Sequence, residues 1–375
     1  MADIAHPEQG LRLKGALSRL IARPGFQAWA ARFPLTRGLV RRDGVAIFRL
    51  VQGFVESQAL AALIELDILG RLADGPLPVS TLARACDLSP DRMRILLQAG
   101  AAMGLLKRRR DDRFALSRRG AAMLGVPGLR QMIRHHGVFY SDMADPVALL
   151  RGEVETRLAA FWPYVFGAAG AVDPEVTATY SELMSQSQAP VAADTLDTVS
   201  LSGVRHLMDV GGGTGAFIAA AAARYPDLRL TLFDLPVLQS AARARFSRAG
   251  FDARAAFHPG SFRDDPLPVG ADAISLVRVL YDHDDATVTA LLRAAFAALP
   301  SGGRLIISEP MSGGDRPDAV TDVYFAFYTM AMGTGCTRSA ARISDLCRQV
   351  GFAQVKALPP RRSFVTSVVS AVKPA

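Results

Sequence analysis

The chain has 375 residues, of which 50% are hydrophobic and 21% are charged. This length predicts two or three domains, and the composition supports a large buried core and excludes a disordered chain. The three cysteines, Cys86, Cys336 and Cys347, are too few and too scattered for a disulfide framework or a zinc site, which indicates a reducing compartment.

The net charge is positive, because 43 lysine and arginine residues outnumber 35 aspartate and glutamate residues and leave +8. Such a balance is compatible with binding to nucleic acid or to an anionic membrane surface. Nearly all of the basic residues are arginines, however, and arginine together with abundant alanine, glycine and leucine is typical of a GC-rich genome. The net charge alone therefore identifies no partner.

Residues 10–42 mix many arginines with large apolar side chains, among them Phe26, Trp29, Phe33 and Leu35. We interpret this segment as a helical arm with a basic, partly apolar face. Packing in a dimer is the interpretation that we favour, and contact with a membrane surface is the alternative. No uninterrupted apolar run reaches the roughly 18 residues of a membrane helix. Acids precede the first apolar run, so we expect no signal peptide.

From about residue 45 to residue 124, apolar residues recur at helical spacing and then give way to a short extended pattern. We expect Ser80 to cap a short helix over TLARAC, and Ser89 to cap a second helix that runs through Met103. The stretch LLKRRRDDRFALSRRG predicts a two-stranded wing with its paired aspartates at the turn. Together these elements predict a winged-helix module.

Beyond this module, a second helical block at 128–201 precedes a segment of alternating pattern. Apolar runs of strand length begin at His206 and alternate with helical stretches; the runs are HLMDV, LRLTLFD, ADAISLVRVL and GRLIISE. This alternation predicts an α/β fold with a parallel, doubly wound sheet. We divide the chain into a helical arm at 1–44, a winged-helix domain at 45–127, a helical connector at 128–201 and an α/β domain at 202–375.

The most informative motif is DVGGGTG at residues 209–215, between a predicted strand and a predicted helix. Glycines such as Gly211 and Gly213 let the backbone turn tightly and let a ligand approach the amide groups. The next strand ends at Asp234, about 20 residues later, where an acid can accept hydrogen bonds from both ribose hydroxyls. Strand, loop, helix and acid together predict a nucleoside-binding site.

This motif is compatible with two kinds of nucleoside ligand, a dinucleotide such as NAD and S-adenosylmethionine. A dinucleotide site uses G-x-G-x-x-G to seat a pyrophosphate, whereas the glycines here read G-G-G-x-G after the acid Asp209. No G-K-[ST] follows, which excludes a P-loop. An acidic loop repels a pyrophosphate but suits the ammonium group of an amino-acid tail. The pattern therefore favours S-adenosylmethionine over NAD.

The motifs LMDVGGGTGAF, FDLPVL, DHDD and ALPSGGRLIISEPM resemble those of the caffeate-type small-molecule O-methyltransferases, and the resemblance covers nearly the whole chain. It implies that the winged-helix domain at 45–127 is a dimerisation domain. The domain at 202–375 would then be a class I methyltransferase with a mostly parallel, seven-stranded sheet and S-adenosylmethionine as cofactor. We accordingly expect a homodimer formed through residues 10–130.

A narrower resemblance rests on other segments: FQAWAARFPLTR, DPVALLRGE, SLVRVLYDHDDATV and TDVYFAFYTMAMGTGCTRSA. These are similar to the demethylspheroidene, or hydroxyneurosporene, O-methyltransferases of bacterial carotenoid synthesis. Members of that group methylate the tertiary C1 hydroxyl of an acyclic carotenoid. The resemblance implies the same reaction here.

The family resemblance also assigns cofactor-binding residues. Gly211 matches the loop glycine of the family, and Asp234 matches its ribose-binding acid. Ser261 and Phe262 stand where the family commonly has an aspartate and a hydrophobic residue for the adenine. Arg278 lies near the basic position on the fourth strand of the sheet, one residue out of register.

The largest departure from the family is at the catalytic base. The family pattern after the fourth strand is His-Asp-Trp, whereas this chain has Tyr281-Asp282-His283. Two acids orient the histidine in the family; Glu309 matches the first, and the position of the second falls at Thr337. The histidine mechanism therefore does not transfer as a whole.

The chemistry of a tertiary alcohol reduces the need for a histidine base. Such a hydroxyl is so weakly acidic that proton loss must accompany or follow methyl transfer, and positioning of the reactants supplies on the order of 7–11 kcal/mol. We expect Tyr281 to orient the hydroxyl, and His283 or Glu309 to accept the proton directly or through water.

The stretch VYFAFYTMAM places aromatic side chains within helical reach of one another, which is typical either of protein core or of the wall of an apolar site. We predict a substrate site lined by six residues: His136, Tyr140, Trp162, Met184, Phe327 and Tyr328. Adjacent histidines on a helix point in different directions, so we expect at most one of His135 and His136 to contribute.

Two alternatives stay open. The same enzyme class acting on a polyketide phenol or a bacteriochlorophyll precursor would give the same motifs. A winged-helix transcription regulator would explain the KRRR run, but the recognition helix offers only Arg92 and Arg94 as long basic side chains. We expect a cytoplasmic enzyme with no metal and no nucleic-acid partner. Peripheral contact at the inner or photosynthetic membrane is the alternative role of the arm.

Overall fold

The computed structural model describes residues 15–161, 187–358 and 366–375, apart from the side chains of residues 160 and 161. The chain separates into two compact units, Met1–Ala122 and Met123–Ala375. The first is helical with a small sheet, and the second is built on a large sheet with helices on both faces.

Helices make up most of the first unit, because its apolar residues recur at three- and four-residue spacing. They are α1, described over 15–21, α2 (Pro24–Arg32), α3 (Arg37–Glu65), α4 (Ile68–Arg71), α5 (Val79–Ala85), α6 (Pro90–Ala102) and α7 (Arg118–Leu124). Leu63 at the end of α3 and Leu97 of α6 are fully buried. A side chain at Gly100 would press on Leu63, so this glycine lets α3 and α6 approach closely.

A three-stranded antiparallel sheet, in the order β1-β3-β2, completes the first unit. Its strands are β1 (Leu77–Pro78), β2 (Leu106–Arg108) and β3 (Arg113–Leu116). Asp111 and Asp112 form the turn between β2 and β3, and both have a positive φ, 57° and 53°. The predicted wing and its turn are confirmed, with one strand more than the sequence predicted.

The two predicted helix caps differ in outcome. Ser89 caps α6, since its side chain accepts a hydrogen bond from the backbone N–H of Arg92. The predicted cap at Ser80 is wrong, because α5 begins at Val79 directly after Pro78 and Ser80 lies inside the helix.

Helix α3 is long and apolar enough to cross a membrane, judged by length and composition alone, and it is one such helix in the described part of the chain. The sequence analysis looked for an uninterrupted apolar run, which α3 lacks because it contains Arg49 and Glu56. The helix qualifies when its length and mean hydropathy are considered and a few charged residues are allowed. Leu63 and Ile64 of this helix are buried in the first unit, whereas most of its large apolar side chains are exposed.

A seven-stranded sheet, in the order β6-β5-β4-β7-β8-β10-β9, forms the centre of the second unit. Its strands are β4 (His206–Val210), β5 (Arg229–Asp234), β6 (Ala255–Pro259), β7 (Ala273–Val277), β8 (Arg304–Glu309), β9 (Ala353–Leu358) and β10 (Ser367–Val372). Strands β4 to β8 are parallel, and β10 pairs antiparallel with β8 and β9. The predicted α/β fold with a mostly parallel sheet is confirmed.

The helices of the second unit are α8 (Leu129–Asp142), α9 (Pro146–Arg151), α10 (Arg157–Phe161), α11, described over 187–198, α12 (Ala216–Arg224), α13 (Gln239–Arg248), α14 (Asp285–Ala298), α15 (Ala326–Ala331) and α16 (Ala340–Val350). Short 3₁₀ turns lie at Pro236–Leu238, Asp252–Arg254 and Leu280–Asp282, and a π-helical segment, Ala319–Phe325, leads into α15.

Strand β7 shows how the sheet is covered on both faces. Its Ile274 and Leu276 belong to a buried cluster with α14 and α16, whereas Ala273 and Val277 belong to a second cluster with α12 and α13. The strand order reverses between β4 and β7, and in doubly wound sheets ligands bind at the carboxyl ends of the strands at such a point. A ligand site is therefore expected at the carboxyl ends of β4 and β7.

The division of the chain at 1–44, 45–127, 128–201 and 202–375 stays a prediction. Helix α3 continues through residues 44 and 45 without a break.

Candidate active site

The glycine loop after β4 has the left-handed backbone that only glycine adopts easily. Gly211, Gly213 and Gly215 have φ values of 70°, 62° and 80°. A Cβ at Gly211 would come within 2.9 Å of Val279 Cγ2, whereas a Cβ at Gly213 would meet nothing within 4 Å. The loop is therefore tight against Val279, two residues beyond β7, at one glycine and open at the other, which leaves room beside its amide groups.

Asp234, at the end of β5, ties this loop to the neighbouring strand. One carboxylate oxygen accepts the backbone N–H of Gly213 at 2.6 Å, and the other accepts that of Leu235 at 2.7 Å. Burial raises the pKa of Asp234 to about 6, although both backbone hydrogen bonds act to lower it. Each oxygen keeps a second lone pair, so the carboxylate can also accept ribose hydroxyls as predicted.

Asp209 lies underneath the loop and is fully buried. Its Oδ1 accepts the hydroxyl of Ser275 at 2.5 Å, and its Oδ2, which faces Gly212, meets no hydrogen-bond donor in the described part of the chain. Burial raises its pKa to about 7, the Ser275 hydrogen bond lowers it, and Asp234 raises it further. Its predicted attraction for an ammonium group would thus act from beneath the loop.

The predicted adenine residues lie on a separate loop after β6. Ser261 is buried, donates its backbone N–H to Asp265 and accepts the backbone N–H of Arg263 at its hydroxyl. Phe262 packs edge-on against the ring of His283, with centroids 5.2 Å apart. His283 therefore lies beside the predicted adenine residues.

Arg263 determines the tautomer of His283 and helps to keep its imidazole neutral. Its Nη2 lies 2.9 Å from His283 Nδ1, and since a guanidinium can only donate, the imidazole accepts there and carries its proton on Nε2. Burial, and then the charge of Arg263, lower the pKa of His283 to about 3. The one lone pair of the neutral ring is occupied, so this geometry argues against the base role predicted for His283.

Glu309, at the end of β8, holds the loop that carries Tyr281. Its Oε1 accepts the backbone N–H groups of Val279 and Leu280, both at 2.8 Å, and its Oε2 accepts that of Tyr281 at 3.4 Å. Burial raises the pKa of Glu309 to about 7, against the lowering effect of these three hydrogen bonds. The geometry indicates that Glu309 positions the loop.

The segment 334–338 holds the same loop from its carbonyl side. Arg338 donates to the carbonyls of Leu280 and His283 at 3.0 and 2.8 Å, and its Nε pairs with Asp285 at 2.6 Å. The backbone N–H of Cys336 donates to Tyr281, and the hydroxyl of Thr334 donates to Asp282. At the position of the second family acid, Thr337 instead shares a hydrogen bond with Ser312.

Arg278, Tyr281 and Asp282 form the polar part of this loop. Arg278 has a φ of 58° directly after β7, lies with its Cζ 6.0 Å from the Tyr281 ring centroid, and donates to Ser187 and to the Tyr281 hydroxyl. Asp282 is buried, and its Oδ1 has no hydrogen-bond partner among the described residues. Burial, followed by the charge of Glu309, raises the pKa of Asp282 well above its ordinary value.

An aromatic cluster extends from this loop to α8. His135 Nε2 lies 2.9 Å from the Tyr328 hydroxyl, and His136 Nε2 lies 2.7 Å from the Tyr324 hydroxyl. Both histidines thus contact the same aromatic segment, and the expectation that at most one of them contributes to a substrate site stays a prediction. Both contacts are possible because α15 and its π-helical entry present two tyrosines four residues apart.

Of the other predicted substrate residues, two lie in the aromatic cluster and two fall outside the described part of the chain. Tyr140 lies edge-on to His136, and Phe327 packs against the cluster that contains Tyr328. Trp162 and Met184 fall outside the described residues. Burial raises the pKa of Tyr324 and of Tyr328, so both phenols stay protonated at neutral pH.

Two functional candidates escaped the sequence reasoning. Asp282 was visible as the middle residue of Tyr-Asp-His, but only its burial, and an oxygen without a hydrogen-bond partner among the described residues, single it out. Arg338 gave no signal, because the carbonyls it holds lie more than fifty residues earlier in the chain.

Comparisons with known proteins agree on one family. A sequence model of the O-methyltransferase domain matches residues 140–353, and a model of the O-methyltransferase dimerisation domain matches residues 48–125. Demethylspheroidene O-methyltransferase of Cereibacter sphaeroides is 57% identical over 97% of this chain and 96% of its own length. The protein of the same name from Rhodobacter capsulatus is 51% identical over 91% and 85%.

Solved structures share the fold. Human N-acetylserotonin methyltransferase, solved in complex with S-adenosylmethionine, superimposes with a TM-score of 0.76 at 23% identity, over 89% of this chain and 98% of that one. A mitomycin 7-O-methyltransferase superimposes with a TM-score of 0.75 at 23% identity, over 90% and 99%.

Proposed function

The chain belongs to the O-methyltransferase family and is an S-adenosylmethionine-dependent O-methyltransferase, and we propose that it methylates the tertiary C1 hydroxyl of an acyclic hydroxycarotenoid. The observation that carries the choice of acceptor is the 57% identity with a demethylspheroidene O-methyltransferase over 97% of the chain. Tyr281 at the position of the family histidine supports it, because a tertiary alcohol gains little from a histidine base.

The residues at the carboxyl ends of β4 and β5 fit the cofactor. Gly213 leaves open space beside the loop, and Asp234 has lone pairs for two ribose hydroxyls. Asp209 lies beneath the loop with a pKa raised to about 7, so a bound ammonium group would favour its ionised form. Ser261 and Phe262 would contact the adenine. When bound, S-adenosylmethionine supplies an electrophilic methyl group on a sulfonium sulfur.

The protein has two tasks at the reacting hydroxyl, orientation and removal of a proton. We assign orientation to Tyr281, whose hydroxyl accepts from Arg278 at 3.4 Å and therefore has its own proton available to donate. We assign the role of proton acceptor to Asp282, because its Oδ1 is buried without a partner among the described residues and its raised pKa makes it a stronger base than an ordinary carboxylate.

Asp282 is close to the groups that would surround the acceptor. Tyr281 and Tyr328 both have pKa values raised chiefly by burial, and the charge of Asp282 contributes to each. His283 then belongs with the adenine residues, through its contact with Phe262, and Glu309 and Arg338 fix the loop geometry. Tyr281 and Asp282 thus divide the work that one histidine performs in the family.

The aromatic cluster suits an apolar acceptor. Tyr324, Phe327 and Tyr328 offer ring surface, and His135 and His136 form hydrogen bonds with the phenolic hydroxyls of Tyr328 and Tyr324. We further propose a homodimer through the dimerisation domain and a cytoplasmic protein in peripheral contact with a membrane.

The acceptor can be tested directly. The purified chain is incubated with labelled S-adenosylmethionine and, in separate reactions, an acyclic tertiary-hydroxyl carotenoid or a naphthol, both in detergent micelles. We expect the label in a carotenoid methyl ether, identified by mass, and a slower reaction with the naphthol. Methylation of the naphthol alone would contradict the proposed acceptor and leave the enzyme class intact.

A further inference from the structure

Basic charge is concentrated in one short part of the chain. Residues 15–50 contain seven arginines and one aspartate, a net charge of +6, whereas the whole chain carries +8. The arginines are Arg19, Arg23, Arg32, Arg37, Arg41, Arg42 and Arg49. We call residues 15–50 the basic arm.

The first half of α3 is amphipathic, with an apolar and a basic side. Leu39, Ile47 and Leu50 share one side at helical spacing, and all are exposed, Leu50 by 83%. Arg41 and Arg49 lie eight residues apart on the adjoining side, where, with Arg42, they line a shallow depression. The depression is bounded by Gly38, Val45 and Ala46.

Aromatic and aliphatic side chains continue the apolar surface onto α2. Trp29 stacks on Phe33 with ring centroids 4.9 Å apart, and both rings remain exposed. Leu35, in the turn between α2 and α3, is 85% exposed. The hydroxyl of Thr36 donates to the carbonyl of Ala30 at 2.6 Å and fixes this turn. Exposed tryptophan beside arginine is the composition of a membrane interface.

A second copy of the chain is a poorer partner for the basic arm. The dimerisation-domain match begins at residue 48, so residues 15–47 of the arm lie outside it and Arg49 and Leu50 lie at its start. A two-fold dimer that paired the arm with the partner's arm would set two groups of seven arginines against each other. An anionic bilayer instead offers headgroups for the arginines and an acyl layer for the apolar side chains.

Lying on the bilayer suits α3 better than crossing it, although its length and composition permit crossing. Leu63 and Ile64 near its end are buried in the first unit. A spanning α3 would have to withdraw them from that core.

We propose that the basic arm docks the protein on the surface of an anionic lipid bilayer, with its arginines at the headgroups and Trp29, Leu35 and Leu50 in the acyl boundary. This deepens the proposed function and rests on it in one respect. An acyclic carotenoid is an apolar molecule that partitions into the bilayer, so docking would bring the enzyme to its acceptor.

The test uses the full-length protein and vesicles without substrate. Binding is measured by flotation with phosphatidylcholine vesicles and with vesicles that also contain phosphatidylglycerol. We expect binding only to the anionic vesicles and release at high salt. The variant Arg41→Gln/Arg42→Gln/Arg49→Gln should bind roughly tenfold or more weakly. The variant Leu35→Ser/Leu50→Ser should bind more weakly even at low salt.

A matched control changes the net charge equally elsewhere. Lys107→Gln/Arg109→Gln/Arg110→Gln removes three exposed charges from the wing and should bind as the wild type does. The proposal would be overturned if this control weakened binding equally, or if the wild type did not bind anionic vesicles. It would also be overturned if high salt did not release the bound protein. So would an arm variant that dissociates the dimer in light scattering while it still binds vesicles.

Activity separates this inference from the proposed function. The arm variants should methylate detergent-solubilised carotenoid at the wild-type rate and vesicle-embedded carotenoid more slowly. A wild type that binds anionic vesicles but methylates no carotenoid would refute the proposed acceptor and leave the docking surface standing. A wild type that methylates solubilised carotenoid but does not bind vesicles would refute the docking surface and leave the proposed acceptor standing.

Discussion

Replacement of Asp282 by asparagine tests whether this residue accepts the proton from the acceptor hydroxyl. Asparagine keeps the size and the carbonyl oxygen of the side chain but cannot take up a proton. The backbone hydrogen bonds of the loop, from Thr334 to the Asp282 carbonyl and from the loop N–H groups to Glu309, do not involve the Asp282 side chain. The substitution should therefore leave the loop in place.

The expected loss follows from the role. A positioned general base contributes roughly a hundredfold to ten-thousandfold to a rate, so Asp282→Asn should slow methyl transfer by about a hundredfold or more. Stability should not fall, because burial and the nearby charge of Glu309 raise the pKa of Asp282 in the folded protein. A carboxyl whose pKa is raised by folding lowers the free energy of unfolding as the pH rises above its unfolded pKa. Asparagine does not ionise, so the substitution removes this loss of stability.

The assay is single-turnover methylation of a tertiary-hydroxyl carotenoid at saturating cofactor, across a range of pH. The wild-type rate should rise with pH as Asp282 ionises, and the Asp282→Asn rate should be low and nearly flat. His283→Gln is the comparison, and it should weaken cofactor binding while keeping the single-turnover rate within a few-fold. A wild-type rate in Asp282→Asn, or a hundredfold loss in His283→Gln at full cofactor saturation, would refute the assignment.

Three further predictions concern the same unit. Tyr281→Phe should slow single-turnover methylation roughly tenfold with unchanged cofactor affinity, since it removes one orienting hydrogen bond, and Tyr281→His should be tolerated; a wild-type rate in the phenylalanine variant would contradict this. Calorimetry should show the affinity for S-adenosylhomocysteine falling as the pH drops through about 6, where Asp234 takes up a proton, and Asp234→Asn should bind weakly at every pH; an unchanged pH profile in that variant would exclude Asp234. Gly211→Ala should lower both the melting temperature and cofactor affinity, because its φ is 70° and a Cβ would press on Val279, with a strain of about 1–2 kcal/mol; Gly250→Ala, with a φ of 73° in open space, should lower the melting temperature alone.

The part of the candidate site that we propose for the cofactor could be predicted from the sequence because its residues are close in the chain. Gly211 follows β4 directly, and Asp234 ends the next strand along, which is also the neighbouring strand in the sheet. Adjacent parallel strands end at the same edge, so the spacing of the two residues in the sequence becomes proximity in the structure. The hydrogen bond from Gly213 to Asp234 is the direct result.

The acceptor half could not be predicted in the same way, because its contacts join distant parts of the chain. The role of His283 depends on Arg263, twenty residues earlier on another loop, and sequence spacing does not show that the two meet. His135 and His136 each find a tyrosine almost two hundred residues later. Sequence resemblance identified the positions, but it does not show these contacts, on which our proposed assignment of the base depends.

The loop that carries Tyr281 explains how the family histidine can be absent without loss of the site. Its N–H groups at 279–281 are held by Glu309, and its carbonyls at 280–283 are held by residues 334–338. Both sets of bonds involve the backbone, so the loop keeps its shape whichever side chain stands at 281. The identity of that residue can therefore follow the acidity of the acceptor, with histidine suited to a phenol and tyrosine beside a buried aspartate suited to a tertiary alcohol.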